Sequence, residues 1–439
     1  MMRFSAAMAT LACVATGATA QTAPAPVVRP IGAVIGTSVI SFGQVQHLRA
    51  LSNGRVLVND PGRRQVIMLD SALANPKVVV DSGGGASMYG PRAGGLIPYA
   101  GDSTLFVDPV ANAFLVIDPA GSVARVMSTP SGTTANNLTN PTTFGYPAFS
   151  PGFGIVYRLA MPRPTVERPK PGEPEITRII DDSALVMTMD VRRRKVDTLL
   201  RLGTGVTLTM KLSANSTNSN SRTPLFPIFD DWTVMSDGAV AVLRGREYRV
   251  DIYGGDEGRT RTTGARLPYP WKPTDDAAKQ QIVDSINTQR RKQFDDMIAD
   301  MRRQALDTTP KRGNGRERII IVDGMPVRVD EDGERSSPTP PPLVLTTEIP
   351  DYIPAVERNP AGFRADADNR LWIRPKPPVG AQRGASAGPI YDIVDRTGAL
   401  VDRVQLPAGR TLAGFGRAGV VFLAIRDAGA TRIEKRLFK

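Results

Sequence analysis

Cysteine and histidine are nearly absent from this chain of 439 residues, which has one of each. The cysteine, Cys13, lies in a leader-like N-terminus, so the chain beyond it has no thiol for a disulfide, a nucleophile or a cysteine metal site. A single histidine, His47, excludes histidine-rich zinc sites and histidine dyads. No convincing GxSxG elbow accompanies it, which argues against a serine triad. Beyond the leader no apolar run approaches the roughly 18 residues that span a bilayer. The net charge of +12 comes without a helix-turn-helix, zinc-finger or RNA-recognition pattern, which argues against nucleic acid as the partner. Oxygen-ligand metal binding and charge recognition remain.

The N-terminus has a basic start at Arg3, an apolar stretch rich in Ala and Met, and the small-residue end Ala18-Thr19-Ala20. That pattern predicts a signal peptide over residues 1–20, cleavage before Gln21, and an exported protein in the periplasm or outside the cell. Acylation at Cys13 is the weaker alternative, because Thr10 stands where such signals prefer Leu. Arginine outnumbers lysine, which suits carboxylate or phosphate partners.

A polar turn with Gly or Asn, an alternating β-branched or aromatic run, a second turn and another such run recur along residues 21–439. The units are NGRVLVND with QVIMLD, GDSTLFVD with FLVID and SVARVM, FGIVYR with ALVMTMD, SDGAVAVLR with YRVDIY, ADADNRLWIR with YDIVDRTGAL, and GFGRAGVVFLAI with TRIEKRLF. Six units of about 45 residues, each too small to bury a face alone, predict an all-β fold, a six-bladed β-propeller. The last unit lacks an outer strand, and residues 27–36 (VVRPIGAVIG) are expected to supply it and close the ring. These motifs resemble the six-bladed β-propellers of the TolB-like and NHL-repeat superfamily, over roughly residues 27–439 apart from insertions. Each motif is a turn plus a strand, so the resemblance implies the fold and hardly constrains activity.

Connectivity assigns the insertions a side. In a blade with strands a to d, the b-to-c turns and the d-to-a links return to one rim. Residues 161–178 interrupt b-to-c of the third blade, 203–224 fall in the next d-to-a link, 270–345 link the fourth blade to the fifth, and 375–389 fall in a b-to-c link. All four are expected on the same rim. Within 270–345, Thr274-Asp275-Asp276 reads as a helix start, and Ile282, Ile286, Phe294, Met297, Ile298, Met301 and Ala305 recur near helical spacing. The stripe predicts a helix that either clads a blade or covers the channel. An Asp323-Gly324 hairpin and a Pro/Ser linker over 336–342 follow.

The second strands of successive blades end at Asp60, Asp108, Arg158, Arg244, Arg374 and Arg426, residues expected to form a charged mouth on the elaborated rim. Free arginines there would favour an anionic ligand. Some six-bladed propellers of the lactonase and esterase kind hold calcium in the channel. The resemblance gives no residue-level match to them, and Asp230, Asp231 and Asp366 are candidate ligands only by their place near inner strands, with turn capping as the structural alternative. The expected function is an exported, non-enzymatic propeller that binds a protein or an anionic small ligand at the elaborated rim, with no resident cofactor. The alternative is a calcium-dependent hydrolase or lactonase. The sequence does not fix the oligomeric state.

Overall fold

A computed structural model describes residues 26–83, 88–130, 136–139, 145–160, 167–254, 260–271, 273–306, 318–322, 325–329, 335–356, 359, 362–377, 387–427 and 429–438. The expected signal peptide and Cys13 lie outside them, as do Asp323 and Gly324. No helix among the described residues is long and apolar enough to cross a membrane.

Among the described residues the strands pair into seven sheets, a small one in the large insertion and six that form the blades of a β-propeller, each built on antiparallel strands. Blade 1 is His47–Ala50, Val56–Asp60, Gln65–Leu69 and Lys77–Val80, and blade 2 is Gly95–Pro98, Thr104–Asp108, Ala113–Ile117 and Val123–Ser128. Blade 3 runs Ala148–Ser150, Gly154–Ala160, Ile176–Asp190, Lys195–Leu212 and Thr217–Arg222. Blade 4 is Asp231–Val234, Val240–Arg244, Arg249–Gly254 and Thr260–Arg266. Blade 5 has Phe363–Ala365, Leu371–Ile373, Ile390–Val394 and Leu400–Gln405, and blade 6 has Arg410–Phe415, Val420–Asp427 and Ala430–Leu437.

The middle strands read as apolar runs because each lies between two neighbouring blades and buries both faces. In Thr104–Asp108, Leu105 and Val107 pack with Ile155, Tyr157 and Met189 of blade 3, while Phe106 packs with Leu57, Val66 and Met68 of blade 1. Comparable clusters join blades 3 and 4 through Val186 and Trp232, blades 4 and 5 through Val250 and Phe363, blades 5 and 6 through Trp372 and Leu423, and blades 6 and 1 through Phe422 and Val58. The ring is thus a closed circuit of interfaces, each large buried side chain contributing about 1.5–3 kcal/mol. Turn chemistry is equally local: Gly238 has φ +90° and a Cβ there would meet Pro151 Cδ at 2.7 Å, so the Ser-Asp-Gly turn of blade 4 can seat against blade 3 only with glycine.

The N-terminal segment closes the ring as expected, and does more. Val34–Thr37 pairs antiparallel with Ala430–Leu437 as the outer strand of blade 6. Just before it, Val28–Pro30 runs parallel to Leu400–Gln405, the outer strand of blade 5, so one segment clasps two blades. Ile31 between them is buried in the interface of blades 5 and 6.

The insertions differ from expectation in two ways. The stretch beginning at Gly203 does not start a link: Lys195–Leu212 is one continuous strand, with Ile176 opposite Leu212, and Thr217–Arg222 adds a further strand. The alternation in Gly205-Val-Thr-Leu-Thr-Met-Lys-Leu matches that in Ile176-Thr-Arg-Ile-Ile, and backbone pairing turns both into a three-stranded projection beyond the blade. The helix spans Asp276–Leu306, with Asp275 rather than Thr274 as its capping side chain, since Asp275 Oδ1 accepts the Ala278 N–H at 2.8 Å. Among the described residues its buried side chains cluster within the insertion rather than on a blade or in the channel. Val283 joins Val344, Ile349 and Ile353 of its own return segment, with Leu225 and Phe226 of the link leaving blade 3. Ile298 and Met301 are buried further along, where the helix passes the small sheet of Arg318–Val322, Met325–Val329 and Arg335–Ser336.

Candidate functional site

The channel has two unlike ends. At one lie the starts of the inner strands and the ends of the second strands, with the described parts of the b-to-c and d-to-a insertions, which makes it the elaborated rim. At the other lie the short turns between first and second strands.

Of the six residues expected to form a charged mouth, Asp60, Asp108 and Arg244 are the last of their strands and Arg158, Arg374 and Arg426 lie within two residues of a strand end, and most are already engaged. Asp60 is fully buried and accepts N–H bonds from Gly43 at 2.8 Å, Gln44 at 2.9 Å and Arg63 at 3.2 Å, tying the blade 1 turn to the link entering that blade. Asp108 caps its own turn through the Val110 and Ala111 N–H groups. Arg244 donates to Asp230 Oδ2 at 2.8 Å, Asp251 Oδ2 at 2.9 Å and the Tyr253 hydroxyl at 2.9 Å. Burial works against the charge on Arg244, but Asp251 and Asp230 outweigh it and raise its pKa above the ordinary value. Arg158 and Arg374 are half-buried, and Arg158 acts on Asp231. Arg426 is exposed, with no ion-pair partner among the described residues.

The three candidate metal ligands do not converge. Asp231 begins the inner strand of blade 4 at the elaborated rim, with Asp230 just before it, whereas Asp366 follows the inner strand of blade 5 at the opposite end. Asp366 accepts the Asp368 and Arg370 N–H groups at 2.9 Å each, Arg370 Nε at 2.7 Å and the Trp372 indole N–H at 3.1 Å, which is turn capping. Asp231 is buried, and that burial above all pushes its pKa up to about 8, with Asp230 adding and the Trp232 N–H and Arg158 opposing. Among the described residues no group of three His, Cys, Asp or Glu side chains is placed to share an ion.

Between the ends the inner strands of all six blades enclose a cavity of about 320 Å³ whose walls reach the rim of short turns. His47, Arg49, Tyr146, Arg364 and Arg417 line it. Arg49 donates to Thr104 Oγ1 at 2.8 Å and to the Ser103 carbonyl, and its guanidinium pairs with Asp102 at 3.6 Å. Arg364 lies over the Tyr146 ring at 4.7 Å, approaches the Phe415 ring at 5.8 Å, and donates to the Ala413 carbonyl at 3.1 Å. His47 meets Tyr146 edge-on at 5.3 Å, and burial, then the charge on Arg364, lowers its pKa to about 3, so the ring is neutral. Of these five residues only His47 stood out in the sequence. The available signal was an arginine inside a short inner strand otherwise apolar or small, as in Phe363–Ala365.

No family model and no curated protein matches the chain. Among solved structures it is similar to a member of the DUF4221 family from Bacteroides vulgatus, at 8% identity over 94% of this chain and 95% of that one, with a TM-score of 0.40. It is also similar to a gluconolactonase from Xanthomonas campestris (10% identity, 94% and 99% covered, TM-score 0.30) and to TolB from Acinetobacter baumannii (11%, 88% and 65%, TM-score 0.29). Likenesses this distant say nothing of activity. The propeller is defined by its own six sheets and the interfaces between them.

Proposed function

We propose that this is an exported, non-enzymatic propeller of the TolB-like and NHL-repeat kind, which binds a protein or an anionic ligand through its elaborated rim. The observation that carries the reading is that elaborations from separate blades lock into one platform. The blade 3 projection pairs with the return segment of the large insertion through Arg222 and Glu348 at 3.1 Å, and Leu225 and Phe226 pack into the cluster around Val283. A preformed surface of this kind limits the ordering entropy lost on association. Its segments also expose apolar side chains, with Ile179 at 71%, Leu343 at 73%, Leu345 at 60% and Tyr352 at 52% exposure, which favours a protein partner.

Photo-crosslinking side chains at positions 179 and 343, compared with position 78 on the outer strand of blade 1, test this in the producing cell. Adducts of one size from 179 and 343 alone support the reading; equal labelling from position 78, or none anywhere, sinks it. Mass spectrometry of the purified protein tests export, the expected first residue being Gln21.

A further inference from the structure

We propose that the central channel is a second binding site, for a small organic anion carrying a carboxylate or phosphate head on a flat body, entered from the rim of short turns. The site runs inward from Arg417 at the short-turn mouth to His47 and Tyr146, at or just before the starts of their inner strands, inside the channel rather than on the docking platform, and does not depend on it.

Charge accounting along the wall supports it. The two acids that line the cavity near the short turns are neutralised internally, Asp102 by Arg49 and by the Ser52 N–H and hydroxyl, Asp366 by Arg370. Arg364 and Arg417 are not matched in this way: among the described residues no carboxylate pairs with either. Arg417 is exposed at the mouth, while Arg364 is half-buried inside. The stack on Tyr146 and the bond to Ala413 fix the guanidinium plane, leaving donors of its five N–H groups for a guest. A guanidinium fixed in this way is preorganised for the paired oxygens of a carboxylate or phosphate.

A second observation points to the same space. His47 lines the cavity at 9% exposure, and its Nδ1 has no hydrogen-bond partner among the described residues. A buried polar atom left unpaired costs about 1–3 kcal/mol, a penalty that a polar group on the guest relieves once the ring turns to present Nδ1 to the cavity. The Tyr146 ring beside both residues offers a face or edge to a flat body, and the volume falls at the small end of the roughly 300–1,000 Å³ typical of ligand pockets. The occupant is therefore small.

The chain's single histidine makes the test direct, because every imidazole NMR signal reports from this channel. Benzoate titrated into the whole protein at neutral pH is expected to shift those signals saturably by about 10 mM, while uncharged benzamide at the same concentration does not. Competition by inorganic phosphate marks the head group as phosphate-like; its absence marks a carboxylate. Replacing Arg364→Gln should weaken benzoate at least about tenfold, as expected for a charge-assisted hydrogen bond, and Arg125→Gln on the outside of blade 2 should change nothing. Arg417→Gln, in an exposed turn, should weaken it about threefold and carries the test if the Arg364 variant fails to fold. The proposal is overturned if neither anion saturates, if benzamide binds as well as benzoate, or if both arginine variants bind like the parent.

Discussion

Removing residues 26–37 should unfold the propeller, although every blade keeps at least three strands. The segment fills a strand position on blade 6, lies along the outer strand of blade 5, and seals the boundary between them. Ile31 is 6% exposed within a cluster that includes Trp372, Tyr391, Leu412 and Phe438, so Ile31→Ala alone should cost about 3 kcal/mol through lost burial and the cavity left behind. Around it, backbone bonds run from the Ile31 N–H to Gln405 O at 3.0 Å and from the Gly32 N–H to Leu437 O at 3.1 Å, each worth about 1 kcal/mol, besides the two strand ladders. Arg29 adds an ion pair with Asp402 at 2.5 Å and lies over the Phe438 ring at 4.6 Å, but it is partly exposed and contributes about 1 kcal/mol or less. Together these losses are comparable to the roughly 5–15 kcal/mol that stabilises a whole domain. They also leave Ala430–Leu437 as an unpaired edge, a template for aggregation. Circular dichroism in urea and gel filtration give the readout: the Ile31→Ala variant stays folded with a lowered midpoint, and the deletion elutes unfolded or aggregated. A monomeric deletion variant with the parent's urea midpoint would refute the clasp.

Other outcomes follow from single groups. The Asp231 carboxyl has a raised pKa, so the folded state holds its proton more tightly than the unfolded chain, and stability falls as pH rises from about 4 towards 8. Asp231→Asn removes that loss, and its gain in thermal midpoint should be larger at pH 9 than at pH 5; an equal gain at both would show that Asp231 titrates normally. Tyr248 donates to Asp392 Oδ2 at 2.6 Å across the buried boundary of blades 4 and 5, so Tyr248→Phe should lower the urea unfolding free energy by about 1.5–3 kcal/mol. Calcium separates the binding reading from a hydrolase: a channel ion at 100 times its dissociation constant adds about 2.7 kcal/mol, whereas acids placed at opposite ends of the channel predict no shift of the thermal midpoint between EDTA and millimolar calcium.

The blades were legible in the sequence for a physical reason. A strand sandwiched between two neighbours buries both faces, so Val56–Asp60 and Thr104–Asp108 show as apolar runs bounded by turn residues. The closing strand was legible from a deficit, since the last repeat ends one strand short. Val28–Pro30 was not, because three residues including a proline carry no periodic signal and the partner strand lies across a blade boundary. The projection on blade 3 is not legible at Thr217–Arg222, whose Thr, Asn and Ser read as a loop until the strand ending at Leu212 supplies backbone partners. The channel was hidden for a similar reason: Tyr146 precedes blade 3 and Arg364 lies in the inner strand of blade 5, and only ring closure stacks one on the other.

That closure gives the positive charge a consequence that composition alone does not. In a chain of net charge +12 some cations must lack an acid, and on an open surface solvent screens them at little cost. Arg364 is different because it is half-buried, so its charge is less well solvated and its unused donors face a confined space. An anion that occupies the channel should therefore stabilise the folded ring as well as bind to it. At ten times its dissociation constant benzoate adds about 1.4 kcal/mol to the unfolding free energy of the parent, readable as a raised urea midpoint. The Arg364→Gln variant at the same benzoate concentration should show almost none of that gain. Equal gains in the two proteins would place the benzoate elsewhere and remove the stability argument for a channel site.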